Sequence, residues 1–181
     1  MENIQTVKKN QEYLVDINGQ THEGMGVGRI GGFTVFIEGA ILGERVKIKI
    51  VKVLKNYSYG KLQEVITASS YRVNPSCPVI KRCGGCQLQH MSYEGQLKYK
   101  TQIVKDAVER IGGLKDIKIH DAIGMAEPWH YRNKAQFPIG MNKDQVQIGF
   151  YAERSHEIID TKSCLIQDRI NDEVLNTFRK F

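Results

Sequence analysis

The placement of four cysteines constrains this chain more than any other feature. Three lie within ten residues, in Cys77-Pro-Val-Ile-Lys-Arg-Cys83-Gly-Gly-Cys86, and Cys164 stands far downstream, giving a C-x5-C-x2-C-x77-C pattern. Any fold that uses the four thiols together must return residue 164 to residues 77–86, so the second half of the chain has to close on itself over a long separation. Four chemistries compete for such a set. A disulfide framework is disfavoured, because Met1-Glu-Asn-Ile-Gln-Thr-Val-Lys-Lys has no apolar secretory core, and the cytoplasm, the compartment expected by default, keeps thiols reduced. A redox dithiol at Cys83-Gly-Gly-Cys86 would follow a strand and open a helix, and it would leave Cys77 and Cys164 unexplained. Structural zinc accepts four cysteines, but usually from two short knuckles, and only one is present here. An iron–sulfur cubane, whose irons each take one thiolate, suits three close cysteines and one remote one. On spacing alone, zinc and iron–sulfur both stand.

Ahead of the cysteines the chain reads as all-β. Arg45-Val-Lys-Ile-Lys-Ile alternates, sending Val46, Ile48 and Ile50 to one face and Arg45, Lys47 and Lys49 to the other. Phe33–Ile37 is rich in β-formers and is bounded by glycines. Tyr13–Ile17, Gly26–Ile30 and Tyr57–Thr67 complete about five short strands, and closure into a small barrel would remove their exposed edges. Gly24-Met-Gly-Val-Gly28 is not a phosphate loop, since it lacks the Lys-Ser/Thr of that motif and no helical pattern follows; tight strand turns account for its glycines.

The cations Arg45, Lys47, Lys49, Lys52, Lys55 and Lys61 stand against only one neighbouring acid, Glu44, within a chain of net charge +6. A solvated strand face would account for them. So would a surface that tracks nucleic-acid phosphates, with Tyr57 and Tyr59 beside it to stack on bases.

A linker ends at Asn74-Pro75. Ser92 then caps a helix over 92–111, with Leu97, Thr101, Val104, Val108 and Ile111 as its apolar stripe and Gly112-Gly113 as its stop. Strands are expected at Ile117–Ile123, Tyr131–Ile139, Val146–Tyr151 and Glu157–Ile159, with a hairpin turn at Asn142-Lys-Asp-Gln. On the second of these strands Arg132 and Lys134, two apart, would share a face. Asp168 would cap a last helix with Ile170, Val174 and Phe178 on one side. That helix shows no stop signal, so the chain is expected to be cut short of a further domain. No apolar run approaches the roughly 18 residues of a membrane span.

The cysteine motif with Gln89-His90 and Cys164, the stretch His22-Glu-Gly-Met-Gly-Val-Gly-Arg-Ile, Phe33-Thr-Val-Phe-Ile-Glu-Gly-Ala, Trp129-His-Tyr-Arg-Asn-Lys-Ala-Gln-Phe137 and Gly149-Phe-Tyr together resemble the N-terminal part of the bacterial RNA uracil-5-methyltransferases. One departure is Ala40-Ile-Leu-Gly-Glu44, where many members have Ala-Leu-Pro-Gly-Glu. The resemblance implies a mainly β fold with an α+β second part. Residues 1–67 would form an OB-like five-stranded TRAM barrel that binds RNA. Residues 68–181 would form a mixed central domain, truncated before a Rossmann-like methyltransferase domain. It implies that Cys77, Cys83, Cys86 and Cys164 hold a [4Fe–4S] cluster, structural or RNA-positioning in role, with Arg132 and Lys134 placing cations near it for RNA. It also implies an enzyme that uses S-adenosylmethionine to form 5-methyluridine in 23S ribosomal RNA by thiolate addition to a flipped-out base. No catalytic residue of that reaction falls within this chain, which alone is expected to be inactive. Self-association through the face left by the missing domain is a further expectation. The alternative is a non-enzymatic RNA-binding module with a zinc or iron–sulfur site.

Overall fold

The computed structural model describes residues 7–143 and 145–180. The chain folds into two compact units, Met1–Val73 with His90–Asp121, and Asn74–Gln89 with Ala122–Phe181. This differs from a single boundary at 67/68. The chain leaves the first unit at the cysteine loop, returns to it for the long helix, and leaves again.

The first unit is a closed barrel of β1 (Glu12–Gln20), β2 (Gly26–Ile30), β3 (Phe33–Glu38), β4 (Arg45–Val53) and β5 (Tyr57–Thr67), in the order β1-β2-β3-β5-β4. All pairings are antiparallel except β3 with β5. The expected alternation holds: Val46, Ile48 and Ile50 are fully buried with Val15, Ile17, Val35 and Ile37, each contributing about 1.5–3 kcal/mol of hydrophobic burial. The glycine run needs a different explanation from the one its sequence offered. Only Gly24, with φ of 90°, occupies a turn; Gly26 and Gly28 lie within β2, facing inward. A Cβ at Gly26 would stand 2.8 Å from that of Ala40, and one at Gly28 would collide with Val15. The narrow barrel interior, rather than turn geometry, demands these glycines.

In the same unit runs α1 (Tyr93–Asp106), continued by a π-helical turn over Ala107–Ile111. Ser92 caps it, its hydroxyl accepting the Gly95 N–H at 3.3 Å, and Gly113 follows with φ of 65°, as expected. The expected apolar stripe does not face inward, however. Gly95 and Tyr99 are the buried residues, whereas Val104 is 50% and Ile111 88% exposed. The helix is held by a narrow contact, Gly95 against Tyr71 and the Tyr99 hydroxyl donating to the Thr21 carbonyl at 2.6 Å, which outweighs the broader stripe.

The second unit contains an antiparallel sheet of β6 (Ile139–Asn142), β7 (Gln145–Tyr151) and β8 (Ile158–Asp160), followed by α2 (Arg169–Phe178). The last two sheet strands match expectation within a residue. Ile117–Ile123 forms no strand: with Ile117 and Ile123 exposed, nothing pairs with it. Residues 131–138 form none either; Arg132 makes isolated backbone bonds with Ile166 and Asp168 instead. The hairpin turn expected at 142–145 includes Asp144, which lies outside the described residues. Asp168 caps α2 by accepting the Ile170 N–H at 3.0 Å. Leu175 is its buried residue, while Ile170, Val174 and Phe178, expected on one side, are exposed. No described helix is long and apolar enough to cross a membrane.

Candidate functional site

In the second unit, backbone bonds bring the cysteine loop and the Cys164 segment to one place. Cys83 bridges to Ala152 beyond β7, the Glu153 N–H donates to the Arg82 carbonyl at 3.0 Å, and the Arg82 guanidinium pairs with Glu157. On the other side, the His130 and Arg132 N–H groups donate to the carbonyls of Leu165 and Ile166, both at 2.9 Å, and the Cys164 N–H donates to Asp172 on α2 at 3.2 Å. The result is that Cys77, Cys83, Cys86 and Cys164, all free and half-buried, line a single recess of about 480 Å³ counted to its open mouth. Its remaining wall is mostly apolar, with Ile80, Phe150 and Leu165 among it.

Burial pushes the Cys83 and Cys86 thiols up, and the other cysteines push the same way. Two donors oppose this: the Gly85 N–H, 3.4 Å from the Cys83 sulfur, and the Gln89 side chain at Cys86. Such donors favour thiolate. A Cβ at Gly85 would lie 3.4 Å from the Cys83 sulfur, so a side chain there would encroach on the recess. Four thiols on one recess are soft donors, the kind that a thiophilic or iron-bearing group takes. Among the described residues no three His, Cys, Asp or Glu side chains form a group that could hold a single metal ion. Of the two cations expected near the cysteines, Arg132 lines the recess and Lys134 does not. Their shared strand face is absent, since no strand forms there.

The first unit carries the other expected site. β4 presents Arg45, Lys47 and Lys49 outward, as its alternation requires, but its neighbour β1 supplies acids that sequence distance had hidden. Arg45 lies 3.8 Å from Asp16 and Lys47 2.9 Å from Glu12. The Lys47 ammonium holds the Glu12 carboxyl below its ordinary range and is itself raised in return. Glu44, the acid nearest in sequence, faces inward and pairs with Arg72. Lys49, Lys52 and Lys55 are exposed and hold no ion pair among the described residues. The cationic surface is thus shifted from the start of β4 toward its end and the β4–β5 turn. Beside that end, Tyr57 and Tyr59 of β5 meet Phe36 of β3, a third ring whose role no sequence pattern indicated, because β3 and β5 are brought together only by closure of the barrel.

Residues 6–62 match the TRAM domain. The chain is also homologous over nearly its full length to proteins named RNA methyltransferases. An uncharacterized RNA methyltransferase of Clostridium tetani is 52% identical over 175 residues, covering 97% of this chain and 38% of that protein. One from Halalkalibacterium halodurans is 48% identical over 174 residues, covering 96% and 38%. The chain thus spans about 38% of the length of the curated relatives it matches. Among solved structures, the Pyrococcus abyssi tRNA (uracil-54, C5)-methyltransferase in complex with S-adenosyl-L-homocysteine superposes with a TM-score of 0.63 over 93% of this chain and 36% of that one. At 20% identity this likeness speaks to the fold alone.

Proposed function

We propose that this chain is the RNA-binding and cluster-holding portion of a cytoplasmic, S-adenosylmethionine-dependent enzyme that forms 5-methyluridine in 23S ribosomal RNA. The reading is carried by one observation: thiols from positions 77 to 164 gather on one recess in a chain that aligns along 97% of its length with an RNA methyltransferase. The fold neighbour's name supplies the uracil C5 chemistry and its bound product supplies the cofactor class. Cys77, Cys83, Cys86 and Cys164 would hold a [4Fe–4S] cluster, which cross-links the 77–86 loop to the Cys164 segment; iron in such clusters takes one cysteine thiolate each. Arg132, on the recess wall, places positive charge beside that anionic centre. Lys49, Lys52 and Lys55, with Arg45 and Lys47 in their ion pairs, would track RNA phosphates, and Lys134 would add a contact from the second unit. The exposed Val104 of α1 and Ile111 of the π-helical turn after it favour self-association of this chain on its own; a monomer by light scattering at high concentration would contradict that.

The test uses the whole native protein, purified anaerobically. With S-adenosylmethionine and unmodified 23S ribosomal RNA, it should yield 5-methyluridine by nucleoside mass spectrometry and carry about four irons per chain. Methylation of transfer RNA alone would overturn the ribosomal assignment. No methylation of either would overturn the enzyme reading. A colourless, zinc-loaded protein would overturn the cluster.

A further inference from the structure

The outer face of the barrel carries a recess that the cysteine centre does not explain. Phe36, Tyr57 and Tyr59 line it, with Met25, and the Thr21–Met25 turn walls one side. The three rings touch one another: centroids are 5.3 Å apart for Phe36–Tyr57, 5.9 Å for Phe36–Tyr59 and 5.7 Å for Tyr57–Tyr59. All three are half-buried, so each still presents ring surface to solvent. The register explains why they point outward together. Tyr59 lies opposite Phe36, Tyr57 opposite Thr34, and the residues between them, Ser58 and Val35, fill the core.

The wall is preorganised. The Thr21 N–H donates to the Met25 carbonyl at 2.8 Å, the Met25 N–H donates to the Thr21 hydroxyl at 3.2 Å, and the Tyr99 hydroxyl anchors the Thr21 carbonyl. Charge surrounds the rings on the same outward face. Lys52 lies opposite Tyr59 across β4, Lys49 lies opposite Lys61 one outward position further along, and Arg29 lies opposite Thr34 on β2. Half-exposed aromatics bordered by cations match one ligand chemistry above others, a planar base attached to an anionic backbone.

We propose that this recess is a stacking subsite for an unpaired nucleotide of RNA, its base against Phe36, Tyr57 and Tyr59 and its flanking phosphates toward Lys49, Lys52 and Arg29. The subsite rests on the RNA-binding reading above and adds to it the form of RNA bound: single-stranded rather than duplex, because a paired base offers no free face. The single carboxylate on the wall, Glu23, repels phosphate and so directs the backbone to the cationic side.

The experiment is fluorescence anisotropy on the whole protein with a labelled unstructured 12-nucleotide RNA and with a perfectly paired hairpin of equal charge. Tyr57→Leu and Tyr59→Leu should each weaken single-strand binding about tenfold, leave hairpin binding and the salt slope unchanged, and Tyr57→Phe should restore affinity. Lys52→Gln should weaken both ligands and flatten the salt slope. If the wild type binds neither RNA, the RNA-binding reading itself fails. If it binds RNA and the leucine variants bind single strands as tightly as wild type, the subsite alone is wrong, and the recess belongs to another partner. Should a leucine variant fail to fold, photo-crosslinking of wild type to 5-iodouridine RNA decides: adducts on Phe36, Tyr57 or Tyr59 are expected, and adducts confined to other residues overturn the assignment.

Discussion

A carboxylate whose side chain has no exposed surface needs its charge answered at short range, and Glu44 obtains this from three directions. Its oxygens accept both the Nε and a terminal nitrogen of Arg72, the Ile41 N–H at 2.9 Å and the Ser69 N–H at 3.3 Å, while Arg72 also donates to the Gly39 carbonyl at 2.6 Å. Burial pushes the Glu44 carboxyl up, but the guanidinium and the two backbone donors outweigh it and hold the group below its ordinary value of 4.5. Arg72→Leu, which strands the buried charge, should cost about 3–5 kcal/mol in urea unfolding. The pH dependence follows by linkage. A carboxyl with a depressed folded value stabilises above its unfolded value and loses that stability as pH falls through 4.5 and below. Asp160, lowered by Arg179 and the Ile148 N–H despite its partial burial, adds in the same direction. The urea midpoint should therefore fall as the buffer is taken from pH 5 toward pH 3, and less steeply in Glu44→Gln; equal slopes would contradict this account. Arg72 lies 28 residues from Glu44, so no local pattern revealed the pair.

At the scale of elements, local signals were readable wherever local chemistry decides. Ser92 and Asp168 cap their helices because a side-chain oxygen meets an N–H two or three residues on. Asp168→Ala should therefore lower the stability of the second unit by about 1 kcal/mol, measurable by thermal unfolding. Tyr99→Phe should cost about 1 kcal/mol by removing one of the two bonds that the Thr21 carbonyl accepts, the other coming from the Gly24 N–H, and hydrogen exchange should then rise at Met25. Which helix face is buried was not readable. Of the stripe expected on the first helix, Val104 and Ile111 are exposed while Leu97, Thr101 and Val108 are half-buried, and on α2 Ile170, Val174 and Phe178 are exposed; the buried side chains are Tyr99 and Leu175. Periodicity reports an apolar face; it does not report what covers it.

At the scale of the molecule, the cysteine spacing implied a long-range closure, and the structure supplies its means, the bridge from Cys83 to Ala152 and the bonds from 130–132 to 165–166. If a cluster closes the recess, Cys83→Ser should abolish iron binding and reduce RNA affinity, read by iron analysis and anisotropy together. A variant that kept full RNA affinity without iron would remove any RNA-positioning role from the centre.

By itself the sequence determined the barrel's strands, the inward and outward faces of β4 and both helix caps, since each depends on neighbours one to four residues away. Only the tertiary structure decided which cations of β4 are neutralised, that Phe36 joins Tyr57 and Tyr59, that Gly26 and Gly28 serve packing, and that Arg132 but not Lys134 lines the cysteine recess. Those outcomes depend on which strand lies beside which, and pairing is chosen by closure of the whole barrel and sheet rather than by any residue's immediate neighbours.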